Sequence, residues 1–211
     1  ILTDWRPDIF IDTHTSNGAD YQYPITYIPT QKDKFNPELA NYMNTVLNPE
    51  LVKTVSGAGY EMCPYVNTLG WGMPPDSGIT GFLETPRYST GLAALFNTMG
   101  YTTETHMLKP FEDRVYSTYH FLLNLLKVTN RDRKIIGRLR TAANESVKSQ
   151  KEYVLRWKRS PTPTEQVTFK GYGVTQVTSA VTGLPRLSYD RNEPYTKEIP
   201  FYNTFLPDIT V

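Results

Sequence analysis

The sequence predicts an α/β fold, a mixed sheet flanked by helices, followed by a C-terminal appendage that is first helical and then extended. Three observations carry that expectation. Apolar or β-branched runs at 9–11, 21–28 and 101–107 alternate with helical periodicity at 39–47 and 112–128, the alternation that builds α/β layers. A chain of 211 residues and 24.2 kDa has room for one core and little more. Beyond residue 159 the helical periodicity stops, and Pro and Tyr accumulate instead.

Asp8–His14 (D-I-F-I-D-T-H) carries a short buried-strand signal in Ile9, Phe10 and Ile11, with Pro7 marking its entry. Thr15–Ala19 reads as a turn. Tyr21–Ile28 reads as a second strand near a sheet edge, because Pro24 cannot donate to a ladder. Asn36-Pro37-Glu38 is a cap, a first-position proline and a first-turn acid. Leu39, Tyr42, Met43, Val46 and Leu47 follow at helical spacing, with a further turn over Leu51–Val55. Residues 57–81 are loop-rich, a composition typical of site walls. Ser89-Thr90-Gly91 opens a short helix over Leu92–Thr98, Tyr101–Met107 is the next strand, and Glu112–Val128 is a helix with Val115, Tyr119, Leu122, Leu123 and Leu126 on one face.

A boundary is expected near Thr129-Asn130. Residues 131–159 hold ten Lys/Arg against three acids and read as one long basic amphipathic helix with a solvated face. Ser160–Thr164 (S-P-T-P-T) is a stiff linker, residues 167–176 suggest a bent strand, and the chain from Leu184 onward is extended. Three segments follow: 1–128, 129–165 and 166–211.

Composition excludes several classes of function. With 13% aromatic and 20% charged residues, the chain is no disordered tail. No apolar run approaches the ~18 residues of a membrane helix. A net charge of +1 argues against a dedicated nucleic-acid binder. The single cysteine, Cys63, excludes an internal disulfide framework and a multi-thiolate zinc site; before Pro64 it reads as packing rather than a nucleophile. The first residue is not Met and the last six lack a polar tail, so the chain is expected to continue into further domains at both ends.

Few residues can carry chemistry. His14 ends the first strand, where open α/β sheets place their ligands. Asp12, two residues back on the same strand face, is placed to hold the second imidazole nitrogen; the competing reading is a hydrogen-bonded core histidine. Glu104 is the acid of an otherwise uncharged strand, with His106 two residues on. Facing a dry interior, it would have a raised pKa and serve as a general base; at a sheet edge, it would pair with Lys109 or Arg114 instead. Arg87 and Tyr88 close the Gly/Pro-rich loop, where a guanidinium suits a substrate carboxylate. His120, between Tyr119 and Phe121, reads as structural.

Residues 8–24 (D-I-F-I-D-T-H-T-S-N-G-A-D-Y-Q-Y-P) resemble the zinc-carboxypeptidase segment that bears the third zinc ligand. Residues 100–110 (G-Y-T-T-E-T-H-M-L-K-P) resemble that family's later strand with the general-base glutamate. The landmarks occur in the family's order, and the match spans roughly residues 5–128. The resemblance implies the C-terminal half of a carboxypeptidase A-like catalytic domain. It makes His14 a Zn2+ ligand and Glu104 the base, with Tyr65 (Tyr88 its rival) as the mobile tyrosine over a peptide substrate. It also favours a periplasmic or extracellular compartment. The departures are as informative. No His-x-x-Glu, the source of the family's first two ligands, occurs in the sequence, and His106 stands where an arginine is common. The expected activity is therefore that of a zinc metallocarboxypeptidase in the full-length protein, with this piece inactive alone. A peptide- or glycan-binding module of the same fold is the alternative, and a scaffold acting through the basic helix is a third.

Overall fold

The computed structural model describes residues 2–16 and 18–211. Asn17, inside the expected Thr15–Ala19 turn, lies outside the described residues, as does Ile1. After a single helical turn, α1 (Leu2–Trp5), the strands β1 (Ile9–Ser16), β2 (Ile25–Pro29) and β3 (Met62–Pro64) enter a four-stranded sheet with the later strand β5 (Met99–His106). Its order is β1-β5-β2-β3: β1 is parallel to β5, β2 antiparallel to β5, and β3 parallel to β2. The fold is thus mixed α/β. The second strand, expected over Tyr21–Ile28 near an edge, instead starts at Ile25, beyond Pro24, and lies inside the sheet between β5 and β3, while Tyr21 makes only an isolated bridge to Gly171.

Between β2 and β3 the helix α2 (Pro37–Tyr42) passes through a π-helical segment (Met43–Leu47) into α3 (Asn48–Gly57). The Asn36 side chain accepts from the Glu38 N–H at 3.0 Å, the expected cap. Pro49 explains the π segment. Its ring has no N–H to give to the Thr45 carbonyl and clashes with that carbonyl in a regular helix. The helix absorbs the mismatch by letting the Asn48 N–H reach back to the Met43 carbonyl.

Side chains alternate across the sheet. One face carries Ile25, Tyr27, Met99 and Tyr101 into a core with Leu39, Leu47, Leu51, Phe121 and Leu125. The two-residue strand β4 (Ile79–Thr80) lies in the loop-rich region, and the short helix expected over Leu92–Thr98 forms earlier, as α4 (Ser89–Ala94). The helix α5 then runs unbroken over Phe111–Val147, straight through the expected boundary at 129–130. Its buried face is Phe121, Leu125, Val128, Asp132, Ile136, Leu139 and Ala143, whereas Val115, Tyr119 and Leu126 are exposed. Two apolar stripes compete on this helix, and only the packing against the sheet selects between them.

The basic helix ends well short of residue 159. Residues 154–159 (V-L-R-W-K-R), in which Leu155 to Lys158 alternate apolar and basic with the period of a strand, form β6 (Val154–Arg159). Its antiparallel partner is β9 (Phe205–Thr210). A long ribbon, β7 (Glu165–Thr178) against β8 (Pro185–Tyr202), makes up most of the appendage. Its register jumps after Tyr172: Tyr172 faces Pro194, but Gly173 faces Asp190. Residues 191–193 are the extra ones and bend the ribbon there. The ribbon root packs through Phe169, Ile199 and Phe201 onto Tyr21, Tyr23, Cys63 and Ile79. Among the described residues, no helix is long and apolar enough to cross a membrane.

Candidate functional site

Parallel pairing of β1 with β5 sets His14 directly opposite Glu104 and Asp12 opposite Thr102. On its other side Glu104 faces Thr26 of β2, whose hydroxyl donates to the Glu104 carbonyl oxygen at 3.3 Å. Two residues ninety positions apart thus become cross-strand neighbours on the sheet face away from the helical core.

Asp12 Oδ1 lies 3.0 Å from His14 Nε2, while His14 Nδ1 lies 3.5 Å from Glu104 Oε1. The second Asp12 oxygen accepts from the Ser89 hydroxyl at 2.5 Å, at the start of α4. Asp12 is therefore clamped between a hydroxyl and the imidazole, and it fixes the ring so that Nδ1 points at Glu104. The Glu104 side chain is only 12% exposed, against 48% for His14. Burial pushes the Glu104 carboxyl up from the usual carboxylate range; the Asp12 charge adds to this, and His14 pulls the other way. Neither expected alternative partner reaches it. Lys109 instead donates to the Tyr21 carbonyl and approaches Asp20 at 3.7 Å, and the Arg114 guanidinium sits 5.5 Å from the Phe111 ring centre.

Tyr65 follows β3 and is held by its N–H to the Tyr27 carbonyl, at 3.0 Å. Burial raises its phenol pKa and the Glu104 charge raises it further, so phenol and carboxylate share one electrostatic environment. The Tyr65 ring meets Phe82 edge-on at 6.4 Å, and Phe82 meets Tyr88 edge-on at 5.1 Å. The two tyrosines that compete for one role in the sequence are thus both members of a single aromatic wall joined by Phe82. Arg87 is exposed in the turn before α4 and, among the described residues, makes no ion pair.

His106 is buried and has both nitrogens committed. Nε2 bonds the Ala19 carbonyl at 2.7 Å, and Nδ1 accepts from the Leu108 N–H at 3.1 Å. This fixes the tautomer with the proton on Nε2, and burial holds the pKa below the ordinary histidine value. The ring serves as a brace between the loops that follow β1 and β5, not as a group facing Glu104. His120 stacks on Tyr60 at 5.3 Å, the structural role expected. Cys63 is buried, and burial pushes its thiol up well above the free value.

Sequence reasoning missed Ser89 and Phe82. Ser89 signals only a helix start, and nothing local marks Phe82. Their roles come from loop 57–88 folding back over β1 and β5.

A catalytic zinc takes three protein ligands. His14 offers one imidazole nitrogen, and its nearest carboxylates are Asp12, bound to the ring itself, and Glu104, wanted as a base. Among the described residues no group of three or more His, Cys, Asp or Glu is placed to hold a metal. The donors of this chain alone do not fit a zinc centre.

The protein-family models include no match to the chain, and neither curated proteins nor solved structures provide one.

Proposed function

We propose that this chain carries the general-base side of a metallocarboxypeptidase-like peptide hydrolase, the remaining metal ligands lying outside this sequence. The observation that supports it is the in-register opposition of a carboxylate-oriented imidazole, His14, and a buried, hard-to-ionise carboxylate, Glu104. In this reading Glu104 takes a proton from the attacking water and passes it to the leaving amine, which calls for a carboxylate with a raised pKa within hydrogen-bond reach. Asp12 orients His14 through Nε2, and a metal held by further ligands from outside this sequence would take Nδ1, the nitrogen that faces Glu104. The Tyr65–Phe82–Tyr88 wall shields the carboxylate from bulk water and offers rings to an apolar substrate side chain.

In the protein that carries this chain, Glu104→Gln is expected to lower peptide hydrolysis by two orders of magnitude or more, in the range of ~10²–10⁴ for a lost general base, with metal content unchanged. His14→Ala is expected to lower metal content. Full turnover by the Glu104 variant removes it from the base role, and unchanged metal content in the His14 variant ends the ligand assignment. The second reading, a peptide- or glycan-binding module, draws support from the lack of a three-donor group among the described residues. It predicts saturable binding without turnover.

A further inference from the structure

A cavity of about 450 Å³ lies beneath the π-helical turn, between the α2–α3 helix and the root of the β7–β8 ribbon. His14, Glu104 and Asp12 do not line it; Tyr65 and Phe82 form the wall between it and the site described above. We propose that it binds a small carboxylate with an aromatic or branched apolar tail. This rests on the cavity itself and is independent of the proposed hydrolase.

The size falls within the ~300–1,000 Å³ of small-molecule pockets. Tyr27, Val52 and Phe201 supply apolar wall. The polar groups there are not balanced between donors and acceptors. Lys32 is already neutralised by Glu165 at 2.6 Å, and Asn203 donates to the same carboxylate at 3.2 Å. Lys53, by contrast, lines the cavity with no ion pair or hydrogen bond among the described residues. Asn48 has its carbonyl oxygen taken by the Tyr101 hydroxyl at 2.6 Å. Burial holds that phenol far above its ordinary pKa, so it remains a donor. The amide NH2 of Asn48 is then the end left to donate. The Asn44 amide, also unengaged among the described residues, lines the same space. Lys53 is exposed, so water meets its ammonium when no ligand is bound, but beside free amide donors it favours an anion with acceptor oxygens, and a carboxylate supplies both charge and acceptors.

The backbone shapes this wall of the cavity. Met43 and Asn44 belong to the π segment that Pro49 forces. π turns recur at ligand sites because the extra residue widens the helix and re-aims side chains. In this helix the turn sets Asn44 on the cavity wall next to Asn48.

The test is NMR titration of the full chain with 4-phenylbutyrate and with the neutral 4-phenylbutyramide. The acid is expected to bind saturably, with shifts centred on the Asn44, Val52 and Lys53 amides, and at least tenfold more tightly than the amide. Lys53→Gln, on the surface and safe for folding, is expected to bring the acid down to the affinity of the amide while leaving amide binding unchanged. Val52→Trp, which fills the space, is expected to abolish both. Absence of saturable binding overturns the proposal. So does equal affinity for acid and amide, indifference to both substitutions, or shifts centred on His14 and Glu104 instead.

Discussion

Arg140 offers the sharpest test of how the sheet is anchored, because its sequence context places it on a solvated basic face and the structure buries it. From the last third of α5 its guanidinium bonds Asp8 Oδ1 (2.7 Å), the Asn97 carbonyl (2.9 Å), the Thr98 hydroxyl (3.1 Å), the Phe96 carbonyl (3.2 Å) and the Arg6 carbonyl (3.3 Å). It therefore ties the helix to the segments that lead into β1 and into β5, the strands that set His14 opposite Glu104. Arg140→Ala leaves those acceptors without their donor. Asp8 is 59% exposed and rehydrates, so that pair alone accounts for no more than ~1 kcal/mol. The carbonyls and the fully buried Thr98 are not so easily rescued, at ~1 kcal/mol or more for each lost bond. The total expected loss is about 3–4 kcal/mol, within the range for breaking a buried charge network. In urea unfolding followed by circular dichroism, with a slope of ~2 kcal/mol/M, the midpoint should fall by about 1.5–2 M. Asp8→Asn should cost less than ~1 kcal/mol. Arg140→Lys should recover little, since an ammonium cannot span that fan of acceptors. A loss below ~1 kcal/mol for Arg140→Ala would refute the reasoning and return the side chain to solvent.

Asp12→Asn removes a negative charge that raises the Glu104 pKa, so that pKa should fall in a carboxyl-carbon NMR titration; an unmoved or higher value contradicts the geometry. The sign carries into stability. Because the folded Glu104 pKa lies above its unfolded one, its contribution is present at low pH and is lost as pH rises through the folded value. The Asn variant should therefore lose less stability on that rise. Cys63, buried with its thiol held protonated, should react with iodoacetamide at neutral pH only when the protein is unfolded; rapid labelling of the native state would show that the Tyr21–Phe169 cluster around it opens.

Much of the local structure was legible in the sequence because its signals are local. Asn36-Pro37-Glu38 is a helix-start signal carried by three adjacent residues, and the isolated acid in Tyr101–Met107 is conspicuous in any arrangement. The same locality explains the failures. Val115, Tyr119 and Leu126 obey helical periodicity as well as Phe121 and Leu125 do, and nothing in the helix itself says which stripe meets a sheet. Residues 131–159 look uniformly basic, yet Arg140 is drawn inside and residues 154–159 pair with a strand fifty positions later. Strand partners at that separation leave no mark on either segment alone.

What the sequence by itself determined was most element types in the first 128 residues and the chemical inventory: an Asp-x-His near the end of one strand, a lone glutamate in another, tyrosines in a loop between them. Only the tertiary structure decided which of these meet. Parallel register between β1 and β5 put His14 against Glu104, and the returning loop brought Ser89 onto Asp12 and Phe82 between Tyr65 and Tyr88. The physical reason is that register and loop return are fixed by burial of the opposite face of the sheet. That face carries residues such as Tyr101, packed against Phe121 of α5, and neither takes part in the site.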